Sequence, residues 1–293
     1  MKHKTFVSVH GGHSGQFCNH AVDTLEDIIQ QYIALGFEWV GITEHGPVET
    51  PELLYPDELE AGMTPQSRLD YFADYMRECR RLQEKYRTRI TIFSGMETET
   101  YAGYATSIPR LIAQYKPDYI VGSVHHVDDL GFDYSKDQYQ ETAERLGGMD
   151  AMYCRYFDQQ HEVITQLEPA VVGHLDVIRI YDPDYMERLA KPDIWQRVLR
   201  NLEAVRSLDL ILDLNLRALK KGAKEPYVCL PILKEALKMG IRVMPGDDSH
   251  GVDQVGNYIE KGIELLERLG FSTQWRQPKL YRFDAVTGEN RSA

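Results

Sequence analysis

The stretch Val7-Ser8-Val9-His10-Gly11-Gly12-His13-Ser14-Gly15-Gln16-Phe17-Cys18-Asn19-His20 runs from a short β-branched apolar segment straight into three histidines within eleven residues. The apolar segment reads as a strand. The glycines after it let the backbone bend and come close to whatever the imidazoles hold. Imidazole is the commonest protein ligand for zinc, iron and similar divalent ions. One histidine would read as a surface or hydrogen-bonded core residue. Three at the exit of a single strand point to a metal.

Outward from this stretch the same pattern recurs. Phe37 to Ile42 reads as a buried strand that closes on Thr43-Glu44-His45. Ile90 to Ser94 leads into Gly95-Met96-Glu97-Thr98-Glu99, and Tyr119 to Val124 into His125-His126. Ala170-Val171-Val172-Gly173 ends in His174, Leu210 to Leu214 is followed by Asn215, and Ile241 to Met244 by Pro245-Gly246-Asp247-Asp248-Ser249-His250. Amphipathic segments lie between, near Thr24 to Leu35, Ser67 to Tyr86, Ser107 to Gln114, Met152 to Leu167, Ile194 to Leu208, Pro231 to Met239 and Val255 to Leu269. This is one βα unit repeated seven times, which predicts a parallel sheet covered by helices. An open sheet gathers ligands near one switch point. Only a closed barrel brings the ends of all its strands around one axis. The distribution of polar residues therefore predicts an α/β fold, a distorted (β/α)7 TIM-like barrel. It forms a single domain over residues 1–293, with insertions near 47–66 and 127–150. Both insertions read as acidic polar loops. The length of the first suggests a flap over a site rather than a tight turn; the acidic stretches near Glu49 to Glu60 and Asp128 to Asp150 either receive a cationic amine or are plain solvated loops.

The chain has 293 residues and a net charge of −12. That charge argues against a nucleic-acid or membrane partner, but not against a small phosphorylated substrate, because local cations override the global field. No signal peptide is visible and no segment approaches ~18 consecutive apolar residues. Cys18, Cys79, Cys154 and Cys229 show no CxxC spacing and read as free thiols in a reducing cytoplasm. Cys18 is either an extra ligand or a small apolar filler. His3 and His161 read as solvated, and Trp39, Trp195 and Trp275 as packing residues. Oligomeric state is left open.

The strand ends present seven imidazoles (His10, His13, His20, His45, His125, His174, His250) and two carboxylates (Glu97, Asp248). Without metal the carboxylates would repel, and burying many imidazoles would gain nothing. Nine ligands exceed what one ion takes but suit two or three divalent ions. Mixed N/O donors without obligatory thiolate suit Zn, Fe or Mn. Such ions ~3.5–4 Å apart are the usual apparatus of phosphoester hydrolysis. Some alternatives stand beside these choices. Glu99 could replace Glu97, and Asp247 could replace Asp248. His126, on the opposite face from His125, reads as an outer or substrate-binding group. Asp176 could orient His174.

These motifs together resemble the PHP family, named for polymerase and histidinol phosphatase. The resemblance spans nearly the whole chain. His10 and His13 look like its H-x-H pair, and Phe17-Cys18-Asn19-His20 like its F-C-x-H segment. Thr43-Glu44-His45 looks like T-D/E-H, Gly95-Met96-Glu97 like G-x-E, and Ser123-Val124-His125 like S-x-H. Gly173-His174-Leu175-Asp176 looks like G-H-x-D, and Asp248-Ser249-His250 like D-x-H. The resemblance implies one ion on His10, His13, Glu97 and Asp248, a second on Glu97, His125 and His174, and a third on His20, His45 and His250. Two glycines separate His10 from His13 where the family has one residue, so a glycine bulge is expected to pair them.

Within the family, the histidinol-phosphatase branch is the nearest likeness. Asn215-Leu216-Arg217 with Glu225-Pro226-Tyr227 resembles its N-x-x-G-x-R…E-x-Y-P region, without the glycine and with compressed spacing. Gly173 to Arg179 resembles its G-H-x-D-x-x-R segment. Arg179 is then the first choice for a phosphate clamp, with Arg155 and Arg217 next, and Asn215 and His126 are further substrate-binding candidates. The implied activity is that of a metal-dependent phosphomonoesterase converting L-histidinol phosphate to L-histidinol and phosphate. Asp248 or His250, or a water they hold, would protonate the leaving oxygen. The alternatives are a PHP phosphoesterase acting on another small phosphate ester or nucleotide, and a non-catalytic metal-binding or regulatory module.

Overall fold

The computed structural model describes residues 4–283; His3 and the end of the polar tail lie outside them. Seven strands form one parallel sheet: β1 (Phe6–Ser8), β2 (Phe37–His45), β3 (Thr91–Glu97), β4 (Tyr119–Gly122), then, after a small antiparallel hairpin of β5 (His126–Val127) and β6 (Leu130–Gly131), β7 (Val171–Val172), β8 (Ile211–Asn215) and β9 (Arg242–Gly246). Neighbours in the sheet follow chain order, as successive βα units require. The seam closes by hydrogen bonds from Val9 N–H to the Pro245 carbonyl at 3.0 Å and from Asp248 N–H to the His10 carbonyl at 2.9 Å. The predicted barrel is what forms.

Alternation along the strands builds its interior. Val7, Trp39, Phe93, Tyr119, Val171, Ile211 and Met244, one from each sheet strand, form an apolar cluster separate from the sheet–helix core. Val40, Ile42, Ile92, Ile120, Leu212 and Leu214 face the other way, into the helices. Stepping by two from the inner cluster reaches small residues (Gly41, Gly95, Ser123) and then His45, Glu97, His125 and, on β8, Asp213 and Asn215. The barrel is therefore packed below and polar at its C-terminal mouth.

Gly41 shows how tight the lower part is. A Cβ there would overlap the Tyr119 hydroxyl. That hydroxyl donates to the Val9 carbonyl at 2.6 Å and so spans the barrel. The insertions carry more structure than expected. The first holds a 3-10 turn, Pro51–Leu53, and a helix, Pro56–Glu60. The second holds the β5–β6 hairpin and a helix, Lys136–Arg145. Among the described residues no helix is long and apolar enough to cross a membrane, and all four cysteines are free.

Candidate metal centre

Glu97 is the hub. It ends β3 in register with His45 on β2, and its carboxylate lies within 4 Å of five imidazoles. His10 is 3.5 Å away, His13 3.9 Å, His45 3.2 Å, His125 3.4 Å and His174 3.0 Å. His10 and His13 are both fully buried. No bulge within a strand pairs them. β1 stops at Ser8, and the chain is pinned beyond it by Gly11 N–H to the Gly41 carbonyl (2.8 Å) and His13 N–H to the Ser249 carbonyl (2.7 Å). That loop brings both rings to Glu97 despite the HxxH spacing.

Among the described residues, five groups of three or four donors have ligand atoms within 4.8 Å of one another: His13/Cys18/His45/His250, His10/His174/Asp248, His10/His13/Glu97, His45/Glu99/His125 and Glu97/His125/His174. Glu99 thus joins the centre beside Glu97 rather than replacing it. His20 falls in none of these groups. It is exposed, with Nε2 3.3 Å from Cys18 Sγ and its ring stacked 5.0 Å from His250. Asp248 joins the centre, 3.4 Å from His13 Nε2. Asp247 is instead tied into the scaffold by Ser8 Oγ (2.6 Å), Tyr32 Oη (2.8 Å) and Gly256 N–H (2.8 Å).

Burial opposes charge throughout this centre, yet three histidines and the carboxylates hold one another ionised, whereas burial and the neighbouring His13 and Arg217 charges push His250 well below the imidazole range. Desolvation works against a proton on His10, but the Glu97 and Asp248 carboxylates raise its pKa well above the imidazole range. Desolvation opposes His125 likewise, and Glu99 and Glu97 raise it. His13 reaches about 9, with Glu44 and Asp248 overcoming burial. Burial raises Glu97 less than His10, His125 and His45 lower it, so it stays an anion. Without metal, protons neutralise the carboxylates. Even so, His10 Nε2, His13 Nε2, His45 Nδ1 and Glu99 Oε1 are buried with no hydrogen-bond partner, and the two ring nitrogens His125 Nε2 and His174 Nε2 stand only 3.3 Å apart. Orphaned donors converging on carboxylates are what divalent ions satisfy, so the residues fit such ions.

The opposite ring nitrogens are held by carboxylates: His10 Nδ1 by Asp213 (3.0 Å), His13 Nδ1 by Glu44 (2.9 Å) and His125 Nδ1 by Glu99 (3.2 Å). Such partners fix the orientation of metal-binding histidines. Sequence reasoning passed over Asp213 and gave Glu44 no role. The signal for Asp213 was a charged residue inside the apolar run Leu210 to Leu214, two before Asn215. Asp176 does not orient His174: among the described residues His174 Nδ1 has no hydrogen-bond partner, and Asp176 Oδ2 instead accepts from Arg179 Nε and Cys229 N–H, each at 2.9 Å.

A cavity of about 220 Å³ opens on the centre. It is lined by His20, His45, Glu97, His125, His174, Asp248 and His250, and by Tyr55, Asp133, Tyr134, Val177, Arg217, Lys221 and Tyr227. Of the predicted substrate-binding residues only Arg217 lines it. Arg217 Nη1 donates to the Asp248 carbonyl (3.0 Å) and lies 2.6 Å from His250 Nδ1. Arg179 is not available as a clamp. It is buried, bonded to Asp176 and to the Glu225 and Pro226 carbonyls (3.2 and 2.6 Å), and sandwiched between the Tyr185 and Tyr227 rings. Arg155 lies away from the cavity, paired with Asp128 at 2.7 Å. Asn215 sits beneath it, donating to Asp213 and Asp248 at 3.1 Å each. His126 is buried beside Glu99 (3.7 Å) and faces Tyr55. Lys221 was missed. It lies four residues after Arg217, on the same side of one helical turn.

Three comparisons bear on this geometry. The family model described as "PHP domain" matches residues 11–217, which leaves His10, Asp248 and His250 outside the match. A probable histidinol-phosphatase of Schizosaccharomyces pombe is 34% identical over 271 residues, covering 91% of this chain and 88% of that one. The histidinol-phosphatase of Saccharomyces cerevisiae is 27% identical over 288 residues, covering 86% and 85%. In fold, the chain is similar to a histidinol phosphate phosphatase of Lactococcus lactis solved with zinc, L-histidinol and phosphate. That match has a TM-score of 0.69 at 20% identity and covers 91% of this chain and 94% of that one.

Proposed function

Because this chain belongs to the PHP domain family, we propose that it is a metal-dependent phosphomonoesterase that hydrolyses L-histidinol phosphate to L-histidinol and phosphate in the cytoplasm. The observation that carries the reading is the placement of Arg217 and Lys221 on the wall of the cavity that opens on the histidine–carboxylate centre. Cations beside a polynuclear centre are the provision a phosphoryl group needs. His10, His13, Glu97 and Asp248 would hold one ion, and Glu97, His125 and His174 a second. His45 and His250 would hold a third, with His20 or Cys18 beside them. Divalent ions held there, Zn, Fe or Mn, supply Lewis acidity and an activated water nucleophile.

The chain's own residues do the rest. Among the described residues the side-chain hydrogen bonds of Arg217 run through Nη1, which leaves Nε and Nη2 to donate to phosphate oxygens. Lys221 adds a second positive charge at the mouth. Asp248, braced by Asn215 Nδ2, and His250 line the same wall, where they, or a water they hold, can pass a proton to the leaving oxygen. Elemental analysis of the purified protein, combined with phosphate release from histidinol phosphate, tests the reading. Two or three ions per chain and turnover are expected. Bound metal with turnover only of other phosphate esters would reject this substrate.

A further inference from the structure

The cavity lining carries charges of both signs. Arg217 and Lys221 provide its cations, while Glu97 and Asp248 are matched by histidines of the centre. One lining carboxylate is left over. Asp133 lies on the second insertion, and its Oδ1 is buried with no hydrogen-bond partner. Among the described residues no Lys, Arg or His nitrogen forms an ion pair with it. An unpaired buried carboxylate oxygen costs free energy unless something completes it. The backbone holds it in place. Phe132, just before it, is fully buried and packs edge-on against Tyr156 at 5.7 Å. Tyr181 Oη donates to the Asp133 carbonyl at 3.3 Å. Ser135, two residues on, caps the helix Lys136–Arg145 by accepting from Gln138 N–H. The side chain is therefore presented to the cavity by a fixed segment. Tyr55, Tyr134 and Tyr227 share that lining, and aromatic faces and edges around a carboxylate suit an organic ammonium group.

We propose that Asp133 is a specificity-determining residue that receives the ammonium group of the substrate, which makes the cavity selective for phosphate monoesters of amino alcohols. The inference rests on the phosphomonoesterase reading above and deepens it. The phosphoryl group would lie at the metal centre beside Arg217 and Lys221, and the ammonium at Asp133. A charge-assisted hydrogen bond is worth roughly tenfold or more in discrimination.

The test compares kcat/KM for histidinol phosphate and for its deamino analogue, and for ethanolamine phosphate and ethylene glycol phosphate, in the metal-loaded wild type and in Asp133→Asn. The wild type should prefer the amine-bearing member of each pair. Asp133→Asn should lower that preference at least tenfold, mainly through KM. A variant that loses activity on both members equally, keeping the ratio, would show a structural role and overturn the inference. So would a wild type without any preference. A protein that releases phosphate from none of the four esters overturns the phosphatase reading itself, a result distinct from lost selectivity.

Discussion

Asp213 Oδ2 alone accepts three hydrogen bonds: from His10 Nδ1 at 3.0 Å, His174 N–H at 3.3 Å and Asn215 Nδ2 at 3.1 Å. Its charge makes His10 a better donor to an ion, as outer carboxylates do for metal-bound histidines. Asp213→Asn keeps the shape and removes the charge, so metal affinity should fall by about 10–100-fold. Competition against a chelator measures this, and unchanged affinity would refute the role. Arg179 behaves otherwise. Removing it strands the fully buried Asp176 carboxylate, which costs about 3–5 kcal/mol for a buried pair. Arg179→Ala should therefore lower the thermal midpoint strongly, and a variant of normal stability with a raised KM would restore it as a clamp. The contrast shows what sequence reveals at this scale. Histidines at strand ends advertise themselves, because so many imidazoles at one barrel mouth are stable there only around cations. Nothing in Gly173 to Arg179 tells that Asp176 and two carbonyls already occupy the guanidinium of Arg179.

The strands do the positioning. The β2–β3 register sets His45 beside Glu97, and the same inner rows set Gly41 against Tyr119 lower down. Gly41→Ala should destabilise by about 3 kcal/mol, an overpacking cost. Tyr119→Phe in the same chain should recover part of it, since the hydroxyl is the closest atom but not the only one. Strictly additive losses in denaturant titrations would show that the two do not press on each other. The βα alternation was readable because seven apolar runs and their amphipathic partners repeat one period. The helix Lys136–Arg145 escaped notice because it buries only Tyr139, Thr142 and Ala143, too narrow a stripe to stand out from an acidic loop. The hairpin before it has two residues per strand, below the length at which alternation registers.

At the scale of the molecule the metal centre is also a stability element, since buried carboxylates need positive charge whether protons or ions supply it. In the metal-free protein, protons on His10, His13 and His125 would do so. His13 is raised from 6.5 to about 9, and His10 and His125 are raised as well. A group whose folded pKa lies above its unfolded value stabilises fully below the unfolded pKa and loses that contribution as pH rises through the folded one. The metal-free protein should therefore lose stability between pH 6.5 and about 9. The loaded protein, whose ions replace those protons, should not. Loading must release protons over the same window, and metal affinity should climb with pH across it. Thermal unfolding of chelated and loaded protein at both ends of that window checks this, with the gap in midpoint expected to widen toward the alkaline end. A gap that stays constant or narrows would mean that the histidines are not proton-loaded in the empty centre, and that something other than imidazolium balances Glu97 and Asp248.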